Sequence, residues 1–322
     1  MANVLGIIRN KASGIAGAVE LFINNIKQTQ YKECELVEYM PQFSSKSTLP
    51  YSFYQGSAVV YNNEIHILGG SGNNTKHYKW DGNSWTSVST LPYSFYGGRA
   101  VVYNNEIHIL GNYSNGSGSR QHYKWDGSSW TSASTLPYSF YGGRAVVYNN
   151  EIHILGGSGN NTKHYKWDGN SWTSVSTLPY SFYQGSAVVL NDEIHLLGSY
   201  YSSSGSTIHY KWDGSSWTSA STLPYNFGRG NSVTYKNEIH ILGSNSGASA
   251  SPVFRSHYKW DGNSWTIVST LPYNFYDGSA VVLNNEINIL GDSNSSSTSY
   301  YSKYHYYLLR GTGKRYKAIL SS

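Results

Sequence analysis

The strongest constraint on the fold of this chain of 322 residues is an internal repeat. The dipeptide Leu-Pro starts at positions separated by 42, 45, 42, 45 and 48 residues: Leu49, Leu91, Leu136, Leu178, Leu223 and Leu271. Nearly the same residues follow each time, and the first copy reads LPYSFYQGSAVVYNNEIHILGGSGNNTKHYKWDGNSWTSVST. Self-similarity at such a period is typical of solenoids and propellers. Six copies run from about residue 47 to residue 310.

Each copy contains four short segments rich in Val, Ile, Tyr, Trp and Thr, which in the first copy are GSAVVY, EIHILG, KHYKW and SWTSVST. Asn62-Asn63 and Asp81-Gly82 lie between them, where tight hairpins need residues that tolerate positive φ. The unit is therefore a four-stranded antiparallel sheet. Radial packing of six such sheets leaves no long open edges. We predict an all-β fold, a six-bladed β-propeller of four-stranded antiparallel blades over residues 35–310.

The sixth copy lacks a Trp-Thr strand, so another segment must complete its blade. Phe43 lies six residues before Leu49, as Trp85 does before Leu91, and this register predicts that residues 41–48 close the last blade. The alternative is that residues 314–320 close it and that the N-terminal strand is a fifth strand or part of an attachment arm. Residues 311–322 are accordingly a basic C-terminal tail or an extra strand.

Residues 1–34 are predicted to be a short N-terminal helical attachment segment. An apolar stripe predicts a helix over about residues 12–29, although Gly14 and Gly17 weaken it. The favoured role is an oligomer core or a docking peptide, and the alternative is packing against the edge of the disc. The residues of this stripe are Ile8, Ile15, Val19, Phe22 and Ile26.

Composition excludes several classes of protein. The net charge is only +5 and the charges are dispersed, so we expect no nucleic-acid partner. The single cysteine, Cys34, excludes a disulfide scaffold and fits a reducing compartment. No apolar run is long enough to span a membrane, and the first 30 residues lack the pattern of a secretory signal.

An apolar strand that ends in a glycine pair, followed by Tyr78, Trp85 and Leu91-Pro92, resembles a kelch repeat. The resemblance covers about four fifths of the chain and implies a propeller. The glycine pair is intact only in copies one and three, as Gly69-Gly70 and Gly156-Gly157. An arginine that kelch repeats often carry before the first strand is present in two copies and is replaced by Ser or Asn in the other four. We therefore draw no inference from that arginine.

The repeated residues favour structural roles over catalysis. All ten Trp fall in the third and fourth strands, which predicts packing between blades. The eleven histidines occur in two registers, once per blade, so we expect wide separation, no metal and no cofactor. Among the 18 carboxylates only Asp277 and Asp292 form a pair that breaks the repeat. A propeller glycoside hydrolase using that pair is the least favoured function, since such enzymes need two carboxylates at a set separation.

Length variation is confined to one loop of the repeat. The distance from the strand-two Leu to the following His is 9, 12, 9, 12, 15 and 15 residues. Because strand direction alternates, these loops share a face with the interblade segments such as YSFYQG. Tyr, Ser, Asn and Gly on a rigid scaffold favour a binding face for sugars, although these aromatics could instead pack between blades. The candidates are Tyr54, Tyr96, Tyr141, Tyr183, Tyr276, Arg99, Arg144, Arg229, Tyr113, Tyr200 and Tyr201.

We interpret the chain as a non-enzymatic binding or display module. The nearly duplicated copies, the attachment-like start and the absence of a secretion signal resemble a phage virion component, such as a tail-fibre tip or a capsid decoration protein. That resemblance implies a multicopy or homo-oligomeric virion protein made in the host cytoplasm. Its N-terminus would dock on a virion scaffold protein, and its loop face would contact host-surface or mucosal glycans or a host-surface protein. The alternative is a cytoplasmic kelch-type protein-interaction adaptor.

Overall fold

The chain divides into two compact units, residues 42–309 and residues 1–41 with 310–322. The structure is a computed structural model, and it describes side chains and backbone for residues 42–70, 75–114, 116–159, 161–200, 205–244, 255–291, 303 and 305–308, with backbone alone at 304. It describes backbone alone, in strands, for residues 7–10, 19–23, 26–28, 33–37 and 315–319.

Residues 42–309 form six four-stranded antiparallel sheets, which are the blades of the predicted propeller. We number the blades in the order of their first strands. The strands of blades 1 to 3 are Ser57–Tyr61, Glu64–Leu68, His77–Trp80 and Trp85–Ser87; Arg99–Tyr103, Glu106–Leu110, His122–Trp125 and Trp130–Ser132; Arg144–Tyr148, Glu151–Leu155, His164–Trp167 and Trp172–Ser174. Those of blades 4 to 6 are Ser186–Leu190, Glu193–Leu197, His209–Trp212 and Trp217–Ser219; Asn231–Tyr235, Glu238–Leu242, Ser256–Trp260 and Trp265–Thr270; Ser279–Leu283, Glu286–Leu290, Tyr304–Leu308 and Phe43–Thr48.

The turns within a blade are those that the sequence predicts. In blade 1 the first hairpin is turned by Asn62 and Asn63, whose φ angles are 49° and 61°. Asparagine visits this left-handed region more readily than most residues. The second hairpin is fixed by Asp81, whose carboxylate accepts backbone hydrogen bonds from Asn83 and Ser84 at 2.7 and 2.8 Å. The motif WDGNSW is therefore a hairpin turn.

The hydrophobic core lies between blades. One cluster joins Ile65, Ile67 and Trp80 of blade 1 with Val281 and Leu290 of blade 6, and Trp80 is only 3% exposed. Each blade is covered on both faces by its neighbours, which explains why the last four residues of every second strand are buried, the central His or Asn included. The phenylalanines of the interblade segments are fully buried: Phe53, Phe95, Phe140, Phe182, Phe227 and Phe275.

A glycine at the end of each second strand lets adjacent blades approach closely. Gly69 has a φ of +63°, and a Cβ at this position would lie 2.0 Å from the carbonyl oxygen of Phe95 in the next blade. Gly291 of blade 6 has the same relation to Phe53 of blade 1, at 2.1 Å. The last blade therefore packs on the first as every other pair of neighbours does, and the ring is closed.

The outer strand of blade 6 comes from the N-terminal side of the chain. Phe43–Thr48 pairs antiparallel with Tyr304–Leu308, which is the first of the two arrangements that the sequence leaves open. Lys46 Nζ lies 2.8 Å from Glu286 Oε2, and Ser47 Oγ lies 2.7 Å from His305 Nδ1. Two segments more than 200 residues apart thus complete one sheet.

In the second unit, Ile7–Asn10, Val19–Ile23 and Ile26–Gln28 form one antiparallel sheet, and Glu33–Val37 pairs with Arg315–Ile319. The helix predicted over residues 12–29 is therefore corrected where the structure describes it, because residues 19–23 and 26–28 are strands. Their β-branched residues favour strands. The remainder of the predicted helix, with Ile15, lies outside the described residues. Among the residues described, no helix is long and apolar enough to cross a membrane.

Candidate functional site

The six interblade segments meet at the centre of the propeller in a closed ring of backbone hydrogen bonds. One residue of each segment donates its N–H to the carbonyl oxygen of the equivalent residue in the preceding blade, and the six N···O distances are 2.6 to 3.1 Å. All six residues have positive φ. We call this set the axial ring: Gln55, Gly97, Gly142, Gln184, Arg229 and Asp277.

Tyrosine side chains surround the axial ring. Five of them immediately precede an axial-ring residue in the sequence, and two come from variable loops. Their ring centroids are 6.2 Å apart for Tyr54 and Tyr96, 4.6 Å for Tyr113 and Tyr141, and 6.1 Å for Tyr141 and Tyr183. Tyr113 is 41% exposed. We call the following set the tyrosine collar: Tyr54, Tyr96, Tyr113, Tyr141, Tyr183, Tyr200 and Tyr276.

Backbone hydrogen bonds attach the variable loops to the collar segments. The N–H of Tyr113 donates to the carbonyl of Tyr96 at 2.7 Å, and the N–H of Tyr200 donates to the carbonyl of Tyr183 at the same distance. The predicted placement of these loops on the face of the interblade segments is therefore confirmed for blades 2 and 4. Tyr201 lies outside the described residues.

The aromatic residues of the interblade segments differ in position, and packing between blades holds for some of them. Tyr51 is buried and donates a hydrogen bond from its hydroxyl to the carbonyl of Gly69 at 2.9 Å. Phe53 is fully buried. The first Tyr and the Phe of YSFY therefore pack between blades, while the last Tyr belongs to the collar.

An ion pair joins two neighbours of the axial ring. Asp277 Oδ2 accepts hydrogen bonds from Arg229 Nε at 2.8 Å and from Gln55 Nε2 at 3.0 Å. The Arg229 guanidinium also donates to the Tyr54 hydroxyl at 3.0 Å and lies 4.0 Å from the ring centroid of Tyr276. Burial opposes its charge, but Asp277 outweighs burial and raises the pKa of Arg229 above its usual value. Arg229 was predicted for this face, whereas its pairing with Asp277 was not.

Two further arginines, Arg99 and Arg144, open the first strands of blades 2 and 3. Arg99 Nη1 donates to the carbonyl of Gly98 at 2.7 Å, and Arg144 Nη2 donates across the centre to the carbonyl of Gly230 at 3.2 Å. Burial lowers the pKa of Arg99 to about 10, and burial and then the charge of Arg99 lower the pKa of Arg144. Asp277 partly offsets both shifts.

These arginines line a small central pocket, in which the space open to the centre of a water molecule is about 20 Å³. Part of each arginine surface remains accessible, although the groups lie deep within the ring of blades. The pocket is thus a polar cavity enclosed by a rigid scaffold. Its lining residues are Gln55, Gly97, Arg99, Tyr141, Gly142, Arg144, Gln184, Asp277 and Gly278.

The sequence analysis missed the pairing of histidines within blades. His66 Nδ1 lies 2.8 Å from His77 Nε2, because the two registers are adjacent across the second and third strands. The expectation of wide separation holds between blades but is wrong within them. Equivalent pairs occur in blades 2 to 5. Even so, no three His, Cys, Asp or Glu side chains in the described part of the chain are grouped to hold a metal ion.

Comparison with known proteins supports the fold alone. No protein-family model matches the chain, and no curated protein matches it. A solved structure titled "Structure of YjhT" is similar with a TM-score of 0.73, covering 85% of this chain and 100% of that chain. The sequences are 14% identical, and the similar protein is a kelch-type propeller.

Proposed function

We propose that the chain is a non-enzymatic binding module that holds its ligand at the tyrosine collar. The propeller fold is consistent with a binding module. The observation that carries the proposal is the collar itself, in which Tyr113 is 41% exposed and lies 4.6 Å, centroid to centroid, from Tyr141. Aromatic surface at the mouth of a polar pocket, bordered by loops of unequal length, suits recognition better than packing.

A glycan is the ligand class that this surface suits best. Tyrosine rings offer flat apolar area for the C–H face of a sugar, and they lose little conformational entropy when they bind. Gln55 and Gln184 of the axial ring bring amide groups to the pocket below. A sugar needs both kinds of contact, since its ring has apolar faces and a hydroxylated edge.

The setting that we propose is a phage virion, in which the chain displays this surface at a tail-fibre tip or as a capsid decoration. The kelch-type likeness of the fold also fits the second candidate, an intracellular adaptor that grips a protein segment. Detection of the chain in purified particles at several copies would support the first candidate. Its absence from particles, with a stable host-protein complex instead, would support the second.

The ligand class is tested with a glycan array probed by the full chain. The full chain is required because Phe43–Thr48 completes blade 6. We expect binding to glycans, and we expect Tyr113→Ser to weaken it. The matched control is Ile267→Ser, since Ile267 is 53% exposed on the outer strand of blade 5, where blade 1 has Ser87. Failure of the full chain to bind any glycan, or equal losses for both variants, would refute a collar site.

The non-enzymatic part of the proposal is supported by the surroundings of Asp277. Its carboxylate is engaged with Arg229 and Gln55, which leaves it poorly placed as a proton donor or nucleophile. If the chain were a glycoside hydrolase, glycans that it binds would be cleaved on prolonged incubation and Asp277→Asn would stop the cleavage. We expect intact glycans with the unaltered protein.

A further inference from the structure

We propose that the pocket beneath the tyrosine collar binds one oxyanion, which the sugar ligand carries as a carboxylate, sulfate or phosphate group. The identity of the carrier rests on the proposed function, while the oxyanion site rests on the pocket alone. The inference follows from the charge of the pocket, from its hydrogen-bond donors and from the residues that other blades have at the same positions.

The pocket has an unbalanced positive charge. Among the axial ring and the first residues of the six inner strands there are three guanidinium groups and a single carboxylate. That carboxylate, Asp277, is bound to Arg229 and to Gln55. No carboxylate oxygen of the described residues lies within 4.0 Å of Arg99 or Arg144. Among the described residues, two cations are thus held close to each other with Asp277 as a distant counter-charge and no carboxylate in contact, an arrangement that costs stability when the groups are desolvated.

The two guanidinium groups also retain donors for a ligand. A guanidinium has five N–H donors in a planar fork that matches the two oxygens of a carboxylate, sulfate or phosphate. Arg99 donates to Gly98 and Arg144 to Gly230, both of which are neutral carbonyls. Arg99 Nε has no acceptor among the described residues. An oxyanion between the arginines would accept several of these hydrogen bonds at once.

The propeller does not need arginine at these positions. The equivalent residue is Ser57 in blade 1, Ser186 in blade 4, Asn231 in blade 5 and Ser279 in blade 6. Ser57 Oγ accepts a hydrogen bond from the backbone N–H of Ala100 in the next blade at 3.0 Å, so serine serves the contact between inner strands. Arginine in blades 2 and 3 replaces this small residue with a charge that contacts no carboxylate of the described residues. A ligand that supplies the opposite charge explains the replacement.

The collar favours a sugar over an acidic peptide as the carrier of the oxyanion. Tyr141 lines the pocket, and its ring centroid lies 4.6 Å from that of the exposed Tyr113 of the collar. A sugar ring bound on these tyrosines would therefore border the pocket that the arginines line. A single charged substituent on that ring needs only the two cations that remain unpaired.

The experiment measures binding to the full chain by titration calorimetry. The ligands are sodium sulfate, sodium D-glucuronate, D-glucose and a short glutamate peptide. We expect sulfate to bind and glucuronate to bind more tightly than glucose. Arg99→Ser and Arg144→Ser introduce the serine that other blades have at this position. Each should lower the affinity for sulfate and for glucuronate by about tenfold or more. Tyr113→Ser should lower the affinity for glucuronate and leave the affinity for sulfate unchanged.

The matched control is Lys236→Asn. It removes one positive charge from the hairpin turn on the opposite face, where blade 1 has Asn62. Arg99→Lys keeps the positive charge but removes the planar fork of N–H donors. Its affinity for sulfate should therefore lie between that of the unaltered protein and that of Arg99→Ser. Circular dichroism and cooperative unfolding of each variant establish that a loss of binding is not a loss of fold.

The outcomes separate the two proposals. Absence of sulfate binding to the unaltered protein, or an equal loss in Lys236→Asn and Arg99→Ser, overturns the oxyanion site whatever the glycan array gives. Sulfate binding with no preference for glucuronate over glucose overturns a sugar carboxylate as the bound oxyanion. Tighter binding of the glutamate peptide than of glucuronate overturns it as well and favours the adaptor function.

Discussion

His66 Nδ1 lies 2.8 Å from His77 Nε2 in the interior of blade 1, so one imidazole must donate a proton that the other accepts. Such a bond requires at least one neutral ring, and protonation of both rings would remove the acceptor. Burial and the charge of Lys79 lower the pKa of His66 to about 4, and burial and His66 lower that of His77 to about 3. These histidines are structural, and their titration is linked to folding.

We expect the protein to lose stability steeply below about pH 6.5. The pKa of every histidine that the structure describes is lowered from the ordinary value of 6.5. Between pH 6.5 and about 4 the unfolded chain therefore binds protons that the folded chain does not. Each histidine lowers the free energy of unfolding by roughly 1.4 kcal/mol per pH unit. Urea unfolding at pH 7.5, 6.5 and 5.5 checks this, and an unchanged midpoint would contradict it.

The chain offers its own control for the histidine pairs. In blade 6, Asn288 replaces the first histidine, and its Oδ1 lies 3.1 Å from His305 Nε2. We expect His66→Asn to keep the fold and to reduce proton uptake on unfolding by about one proton, since one titrating group is removed. The pH dependence of the unfolding free energy measures this uptake. An uptake equal to that of the unaltered protein would show that His66 does not contribute.

Removal of the carboxylate of Asp277 should destabilise the propeller. The side chains of Arg229 and Asp277 are only 14% and 9% exposed, so Asp277→Gln leaves a nearly buried cation without its partner. We expect a loss on the order of 3 kcal/mol in the free energy of unfolding. Gln55 shows that the axial ring accepts glutamine. The double variant Arg229→Gln with Asp277→Gln should recover most of the loss, and equal losses in single and double variants would argue against the ion pair.

Gly69→Ala should cost far more than Gly82→Ala, although both positions have positive φ. A Cβ at Gly69 would lie 2.0 Å from the carbonyl oxygen of Phe95, whereas nothing lies within 4 Å of a Cβ at Gly82. For Gly82→Ala we expect backbone strain to lower the free energy of unfolding by about 1 to 2 kcal/mol. For Gly69→Ala we expect a loss of about 4 kcal/mol or failure to fold, because the new Cβ pushes two blades apart. Thermal unfolding of both variants compares them, and similar losses would contradict the close approach.

Truncation tests the outer strand of blade 6. A chain of residues 42–309 keeps Phe43–Thr48 and should unfold cooperatively. A chain of residues 49–309 exposes the edge of Tyr304–Leu308 and loses the ion pair between Lys46 and Glu286. We expect the shorter chain to aggregate or to melt at a much lower temperature. Equal melting temperatures for the two chains would mean that this strand is dispensable.

The sequence alone sufficed for the architecture because each structural requirement recurs six times in register. Asn62-Asn63 and Asp81 specify the turns locally, and Phe43 shares the spacing of Trp85. The N-terminal segment has no such repetition, and its apolar spacing fits a helix while Val19–Ile23 is a strand. A single copy of an apolar pattern does not separate these two periods.

The chemistry of the centre was less accessible to sequence reasoning, because it depends on contacts between distant blades. Arg229 and Asp277 are 48 residues apart, and Arg144 reaches a carbonyl 86 residues away. The alignment of the repeats already shows Arg99 and Arg144 at a position where the other copies have Ser or Asn. To see that no described carboxylate contacts them, however, one must know where every other charged side chain near the axis lies.

The axial ring is held by main-chain hydrogen bonds, whereas the chemistry of the central pocket depends on side chains. Because closure at the axis is made by N–H and C=O groups, substitution of the hub residues leaves those six bonds in place. This chain already carries glycine, glutamine, arginine and aspartate there on one backbone. New binding specificities could thus be introduced by substitution at these six positions. The positive φ angle is the main restriction on which residues each position accepts.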